Sequence, residues 1–300
     1  MHDRDSLHRF LFEQYPIRGH LVHLDAAWRA LIEHREYPHA IRDTLGEAVA
    51  ASLLLAATVK FEGVLSLQLQ GAGPVHLMLV QCTSGLGVRG LARYRAADAA
   101  GVGRIGDLIG GGNLTVTLET DAGAQRYQGI VPIAGERLAE VLQGYFDNSE
   151  QLPTRLWLHA DAQGASGMLL QKLPGASSLA AADAALIEDA WRRVQLIAET
   201  LTPEELHTLA DAEILRRLFN EDDVRLFEPS PVYFRCRCSR ERVAGMLQGL
   251  GESETRSVLA ERGEVEVRCD FCNRAYVFDA VDVARLFMAA ALPDSGSSVH

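Results

Sequence analysis

Hydrophobic spacing changes character several times along the chain. Leu45 to Val59 is almost unbroken apolar sequence and predicts a long helix buried on all sides. Val64 to Gln70 reads Val-Leu-Ser-Leu-Gln-Leu-Gln, the period-two pattern of a half-buried strand. Gly71-Ala72-Gly73-Pro74 then turns the chain into a return strand over Val75 to Val80. Further strands are expected at Gly19 to Leu24, Asn113 to Glu119, Arg126 to Pro132, Leu156 to His159 and Met168 to Lys172. A short helix through Trp28 and another over Gly135 to Phe146 fall between them. The strands come as hairpins rather than in βαβ order, which predicts an α+β domain with a largely antiparallel sheet.

The pattern shifts at Leu173 to Ala182, a small-residue stretch that marks a boundary. Beyond it Leu186/Ile187, Trp191, Val194, Ile197/Ala198 and Leu201 recur at helical spacing. Thr202 is placed to cap a second helix with Pro203 at its first position, and Ile214, Leu215 and Leu218 carry an apolar face on to Phe219. The division expected is an α+β core over 1–176, an acidic amphipathic helical linker over 177–231 and a small domain over 232–300. The linker is either docked permanently on the core or held by partners at both ends and able to peel away; the sequence favours docking.

Charge changes the picture only by exclusion. The chain has 300 residues and a net charge of −11. Residues 181–231 hold twelve acidic and five basic side chains, while 232–300 are nearly balanced, at ten and nine. No segment forms a basic stripe, so a phosphate-tracking nucleic-acid binder is not expected. Lys60 and Lys172 are the only lysines, and arginine carries the remaining positive charge. No apolar window approaches the ~18 residues of a membrane span. Met1 to Arg9 has no apolar core of a secretory signal, so a reducing, cytoplasmic setting is expected.

The cysteines carry the chemistry. Cys82 stands alone, but Cys236, Cys238, Cys269 and Cys272 form a C-x-C and a C-x-x-C separated by thirty residues. In a reducing compartment this clustering points to metal or redox chemistry rather than to structural disulfides. Four soft thiolates in two short-range pairs suit tetrahedral zinc. Val265 to Arg268 and Tyr276 to Phe278 are strand-like, which sets Cys269 to Cys272 at a hairpin tip. Ser239 is placed to cap a helix through Gln248, and Ser253 another that ends at Gly263. So small a domain, poor in large apolar side chains, has a marginal core that a structural zinc would hold together. Zinc-held thiolates are also nucleophiles open to oxidation. A disulfide across C-x-C is strained and therefore easily reduced. From spacing alone a permanently closed zinc ribbon leads over a switch.

Other motifs fail on context. Gly101-Val-Gly-Arg-Ile-Gly106 matches the dinucleotide fingerprint in letters, but neither a convincing strand before it nor a helix over Asp107 to Gly112 is expected. His34 and Glu36 with Cys269 and Cys272 resemble a zinc deaminase signature, yet Arg268 replaces the required proline and two cysteines are left over. His20 and His23 are close but do not share a strand face, so a surface or partly buried role is expected rather than a ligand pair. No nucleophile–base pair stands out, so no enzyme is expected.

The motifs and their neighbours resemble the redox-regulated 33 kDa heat-shock chaperone family. The resemblance is carried by Cys236-Arg-Cys-Ser-Arg-Glu-Arg-Val243 and Cys269-Asp-Phe-Cys-Asn-Arg-Ala-Tyr-Val-Phe278. Blocks in the same order support it, among them Leu7 to Glu13, Leu54 to Gly63, Leu67 to Pro74, Arg126 to Val131, Tyr145 to Leu156 and Gly167 to Gln171. It implies a cytoplasmic, ATP-independent holdase in which Cys236, Cys238, Cys269 and Cys272 bind one zinc ion while reduced and the protein is inactive. Oxidation would pair Cys236 with Cys238 and Cys269 with Cys272, release zinc, unfold the C-terminal region and loosen the linker. The exposed surface would bind unfolding client proteins, and the oxidised form would be a homodimer; neither membrane nor nucleic acid is an expected partner. Cys82 has no place in that pattern and follows an apolar strand, as a buried, inert thiol would.

Two other readings fit a four-thiolate site. A zinc-ribbon nucleic-acid module would use Arg235, Arg237, Arg240, Arg242, Arg268 and Arg274, against the overall acidity. A thiol–disulfide oxidoreductase would use Cys269 and Cys272, but lacks a thioredoxin-like setting and leaves Cys236 and Cys238 surplus.

Overall fold

The near-continuous apolar run forms the centre of the larger half of the molecule. A computed structural model of the chain describes residues 4–95, 104–120, 126–147, 152–174 and 181–290. It divides into two compact units, Met1–Arg235 and Cys236–His300.

The first unit opens with β1 (Ser6–Phe12), β2 (Ile17–Leu24), α1 (Ala26–Ile32) and α2 (His39–Thr58). A meander follows, β3 (Gly63–Gly71), β4 (Val75–Thr83) and β5 (Gly87–Tyr94), then α3 (Ile105–Ile109), β6 (Gly112–Thr120) and β7 (Arg126–Pro132). The chain continues through α4 (Leu138–Tyr145), β8 (Thr154–Ala160) and β9 (Ala165–Lys172) to three helices, α5 (Ala181–Ala198), α6 (Pro203–Thr208) and α7 (Asp211–Leu218). Three short strands, β10 (Val224–Leu226), β11 (Ser230–Pro231) and β12 (Tyr233–Phe234), close the unit.

These strands make two sheets. The first is ordered β10-β1-β2-β9-β8, with β11 also on β1, and every pair is antiparallel. The second is ordered β12-β5-β4-β3-β6-β7 and is antiparallel except where β12 joins β5. Helix α2 packs against strands of both sheets. Ile41, Leu45, Val49, Leu53 and Leu54 are all fully buried, as expected of a helix without a polar face. Ser52, also fully buried, satisfies its hydroxyl by donating to the Val49 carbonyl at 2.8 Å. Gly46 lets the helix touch β8, since a Cβ there would lie 2.4 Å from that of Ala160.

The other face of the first sheet carries the helices. Phe10, Phe12, Ile17, Leu21, Met168 and Leu170 meet Trp191, Val194, Ala198, Ile214, Leu215 and Phe219 in one buried cluster. Thr202 caps α6 as predicted: its hydroxyl accepts the Glu205 N–H at 3.2 Å, and the Glu205 carboxylate accepts the Thr202 N–H at 3.1 Å. Lys172 pairs with Glu188, and Arg193 with Asp222 at 2.5 Å. The helices are therefore docked on the sheet, the arrangement the sequence favoured.

Several expectations need correction. Two strands were not expected: β1, and β5, whose glycines and arginines dilute its pattern and which is an inner strand of the second sheet. Residues 105–109 form a short helix, although residues 101–103 of the glycine motif lie outside the described set, as do 175–180 of the boundary stretch. His20 and His23 are both buried, because β2 is an inner strand covered on both faces.

The second unit comprises α8 (Arg240–Leu250), α9 (Glu252–Arg262), the hairpin β13 (Val265–Arg268) and β14 (Ala275–Phe278), and α10 (Ala280–Ala290). The Ser239 hydroxyl accepts the Arg242 N–H at 3.3 Å and caps α8. Helix α9 starts after Gly251, not at a Ser253 cap, because the positive φ of 105° at Gly251 already redirects the chain. It ends at Gly263 in the left-handed conformation, as expected. Among the described residues, Val243, Leu247, Val265, Tyr276, Phe278 and Val283 form the buried apolar cluster of the second unit. Among the described residues no helix is long and apolar enough to cross a membrane.

Candidate metal centre

The β13–β14 hairpin builds one half of the centre. At its tip the Cys269 N–H donates to the Arg274 carbonyl at 3.0 Å, and the Cys269 carbonyl accepts the Asn273 N–H at 2.8 Å. Asn273 supplies the left-handed residue, with φ of 54°, that this tight knuckle needs. The other half is the stretch between β12 and the Ser239 cap. Exposure alternates there: Arg237 is exposed, while Cys236 and Cys238 are half-buried on the same side. The Arg242 guanidinium holds this stretch by donating to the Arg237 carbonyl at 2.7 Å.

The four sulfurs converge, each within 4.8 Å of the others. Cys236 Sγ lies 3.6 Å from Cys269 Sγ, and Cys238 Sγ lies 3.4 Å from Cys272 Sγ. None is in a disulfide. Ligands about 2.3 Å from a tetrahedral zinc stand roughly 3.8 Å from one another, so the cluster has the span of a four-thiolate site. Four sulfurs without a nitrogen or oxygen donor favour a soft ion. Among the described residues no other group of three or more His, Cys, Asp or Glu side chains is gathered closely enough to hold a metal.

The thiols are not equivalent. Burial pushes the Cys236 thiol up. Burial acts the same way on Cys238, but hydrogen bonds from Tyr276 and the neighbouring thiols outweigh it and bring that thiol down to about 7. Burial also raises Cys272. The Tyr276 hydroxyl donates to Cys238 Sγ at 3.1 Å, and that bond raises its own pKa to about 12. The sequence showed Tyr276 only as part of a strand; its partner becomes visible once the hairpin register sets it on the inward face with Phe278.

Cys82 stays apart from this cluster. It is fully buried on β4 between Leu65 and Val88, and burial pushes its thiol up to about 12. Of the arginines considered for nucleic acid, three are committed within their own unit. Arg240 donates to the Val277 carbonyl and pairs with Asp282 at 2.6 Å, Arg268 pairs with Glu266 at 2.5 Å, and Arg242 is held as above.

A family model described as Hsp33 protein matches residues 5–279. The chain belongs to the Hsp33 family. The 33 kDa chaperonin of Methylobacillus flagellatus is 47% identical over 284 residues, covering 94% of each chain. That of Nitrosococcus oceani is 48% identical over 287 residues, covering 96% of each. The crystal structure of the Thermotoga maritima 33 kDa chaperonin overlays with a TM-score of 0.78 over 95% of this chain and 99% of that one, at 20% identity, and so shares the fold. Hsp33 is a chaperone family rather than a family of catalysts, and a cluster of four cysteines able to hold a metal ion accords with membership.

Proposed function

We propose that this protein is a redox-regulated, ATP-independent holdase whose switch is the four-cysteine centre. One observation carries the reading: four unbridged thiols converge inside a unit whose buried apolar cluster, among the described residues, is six side chains. Cys236, Cys238, Cys269 and Cys272 would hold one zinc ion in the reduced, inactive protein. Zinc, when bound, keeps the sulfurs as thiolates, the form that oxidants attack. The family resemblance supplies the pairing, Cys236 with Cys238 and Cys269 with Cys272. Each thiolate pair gives up two electrons as its S–S bond forms, and with two protons from solvent these reduce one hydrogen peroxide to two waters. No thiolate then remains to hold the metal.

Without its metal the second unit has too little apolar burial to stay folded. Its unfolding, and loosening of residues 177–231 next to it, would expose the surface that captures unfolding clients in the cytoplasm, with the oxidised chains pairing as dimers. The three-part division at 1–176, 177–231 and 232–300 belongs to this proposal.

The test is light scattering of a heat-denatured client, with zinc and free thiols counted in parallel. Peroxide-treated protein should suppress aggregation, with about one zinc lost as four thiols disappear, and reduced protein should not. Equal behaviour of the two forms would refute the switch, and would leave a closed structural metal site.

A further inference from the structure

We propose that docking of α6 and α7 on the first sheet takes up a proton, held at His23 between Leu206 and Asp211, so that these helices loosen as pH rises above neutrality. The inference concerns the first unit alone and does not depend on the thiol switch.

His23 is buried on β2 and meets an oxygen at each ring nitrogen. Its Nε2 lies 2.7 Å from the Leu206 carbonyl of α6. A carbonyl only accepts, so Nε2 carries hydrogen. Its Nδ1 lies 2.8 Å from Oδ1 of Asp211, the first residue of α7 and also buried. A neutral ring protonated at Nε2 would turn a nitrogen lone pair toward a carboxylate oxygen at that distance. A second ring proton makes both contacts attractive. The contact is ionic rather than an in-line hydrogen bond, since Asp211 Oδ1 has no aligned hydrogen-bond partner. Whether drawn on ring or carboxyl, the site holds one proton more than a neutral imidazole beside a carboxylate. Both oxygens belong to the helices, so a chain with the helices undocked loses both.

The surrounding groups fix the direction. Burial alone would push His23 down; the contacts with Asp211 and Leu206 outweigh it and hold the ring above its ordinary range, with Arg4 opposing. Burial would likewise raise Asp211, but His23 and His8 bring it down to about 2, so the extra proton sits on the ring. From β1, His8 Nδ1 stands 2.5 Å from the other Asp211 oxygen. Just before β1, Arg4 donates to the Thr208 carbonyl at 2.8 Å, and Asp5 accepts the Asp25 and Ala27 N–H groups at 2.9 Å each. On the cross-strand side of His23 stands the uncharged Ser166 of β9.

His207 of α6 works the other way. It lies 5.4 Å, ring to ring, from His159 of β8 and near Asp161 and Asp25, and burial pushes it down. Docking therefore disfavours its protonation, an effect confined to pH below the ordinary histidine value of about 6.5. His23 has the opposite sign. Its docked value is raised, so its contribution is complete below about 6.5 and is lost as pH rises through the docked value. The two effects place tightest docking near or just below neutrality, with loosening on the alkaline side set by His23.

Hydrogen exchange on the full reduced chain, read by mass spectrometry and corrected for intrinsic rates, tests this. Protection of residues 203–218 should fall by up to about tenfold per pH unit from roughly pH 6.5 to the docked value of His23, while α2 holds its protection. Asp211→Asn should remove that slope. Histidine nitrogen NMR of the wild-type chain should find His23 predominantly doubly protonated at about pH 6.5, where an unperturbed ring is half neutral. A neutral His23 at that pH, or an unchanged slope in Asp211→Asn, overturns the proposal. If Asp211→Asn also lowers α2 protection, its fold is disturbed and the wild-type NMR result decides.

Discussion

The Tyr276 hydroxyl reaches Cys238 Sγ at 3.1 Å from the inward face of β14, so the thiol that is brought down to about 7 is also the one with a phenol donating to it. Partners behind a ligand orient it and share its charge, and losing one typically costs about 10–100-fold in metal affinity. Tyr276→Phe keeps the ring in the small core and deletes only the donor. Zinc affinity measured by chelator competition should fall within that range, and peroxide should consume the thiols faster. Unchanged affinity would reduce Tyr276 to a packing residue.

Metal removal should separate the two units. The first has a buried core spanning α2 and both sheets; the second, among the described residues, has an apolar cluster of six buried side chains. Chelation under reducing conditions should abolish the helix signal of α8–α10 while the first unit's melting transition persists. Phe278, fully buried beneath the Arg240 guanidinium 4.3 Å from its ring centre, is the sharpest probe. Phe278→Ala costs about 3–5 kcal/mol in a typical core, and should leave this unit folded only at saturating zinc.

Disulfide mapping has a built-in control. The nearest sulfurs run between the motifs, Cys236 to Cys269 and Cys238 to Cys272, whereas the proposed disulfides run within them. Trypsin releases residues 269–274 as one peptide, because Arg268 and Arg274 flank it. The proposed pairing makes that peptide lighter by two hydrogens with nothing attached; the crossed pairing links it to peptides bearing Cys236 or Cys238. Cys82 should stay unmodified until the chain is denatured, given its full burial.

Acid should weaken the first unit through His20. It is buried on β2 and held at about 3 by burial first, then by the charges of Arg18 and Arg9. A depressed histidine leaves stability intact above its unfolded value of about 6.5 and loses it as pH falls toward the folded value. The loss is about 1.4 kcal/mol per pH unit. Urea midpoints near pH 7, 6 and 5 should decline more steeply for the wild type than for His20→Leu. Parallel declines would show that His20 is not the group responsible.

What the sequence made legible follows the physics of each element. Helix α2 was readable because an apolar run of that length has no strand equivalent in a small antiparallel sheet, and the Cys centre because thiol spacing is a local signal. Strand β5 was not, since two glycines and two arginines among eight residues mask its alternation. Helix α3 is too short for periodicity to register. The His23–Asp211 contact joins residues far apart in sequence that only the docking of α7 brings together, and no local pattern encodes such a pair. Burial of His20 was missed for a related reason: β2 becomes an inner strand only when β9 returns beside it.

The scarcity of lysine gives the docked helices a reporter. Of the two lysines, Lys172 ends β9 with its amine on Glu188 of α5, while Lys60 is exposed just beyond α2. An acylating reagent therefore finds one shielded amine and one open amine in the same chain. The ratio of their labelling, read from two peptides of a single digest, follows how firmly α5 grips the sheet without a mutation or an attached dye.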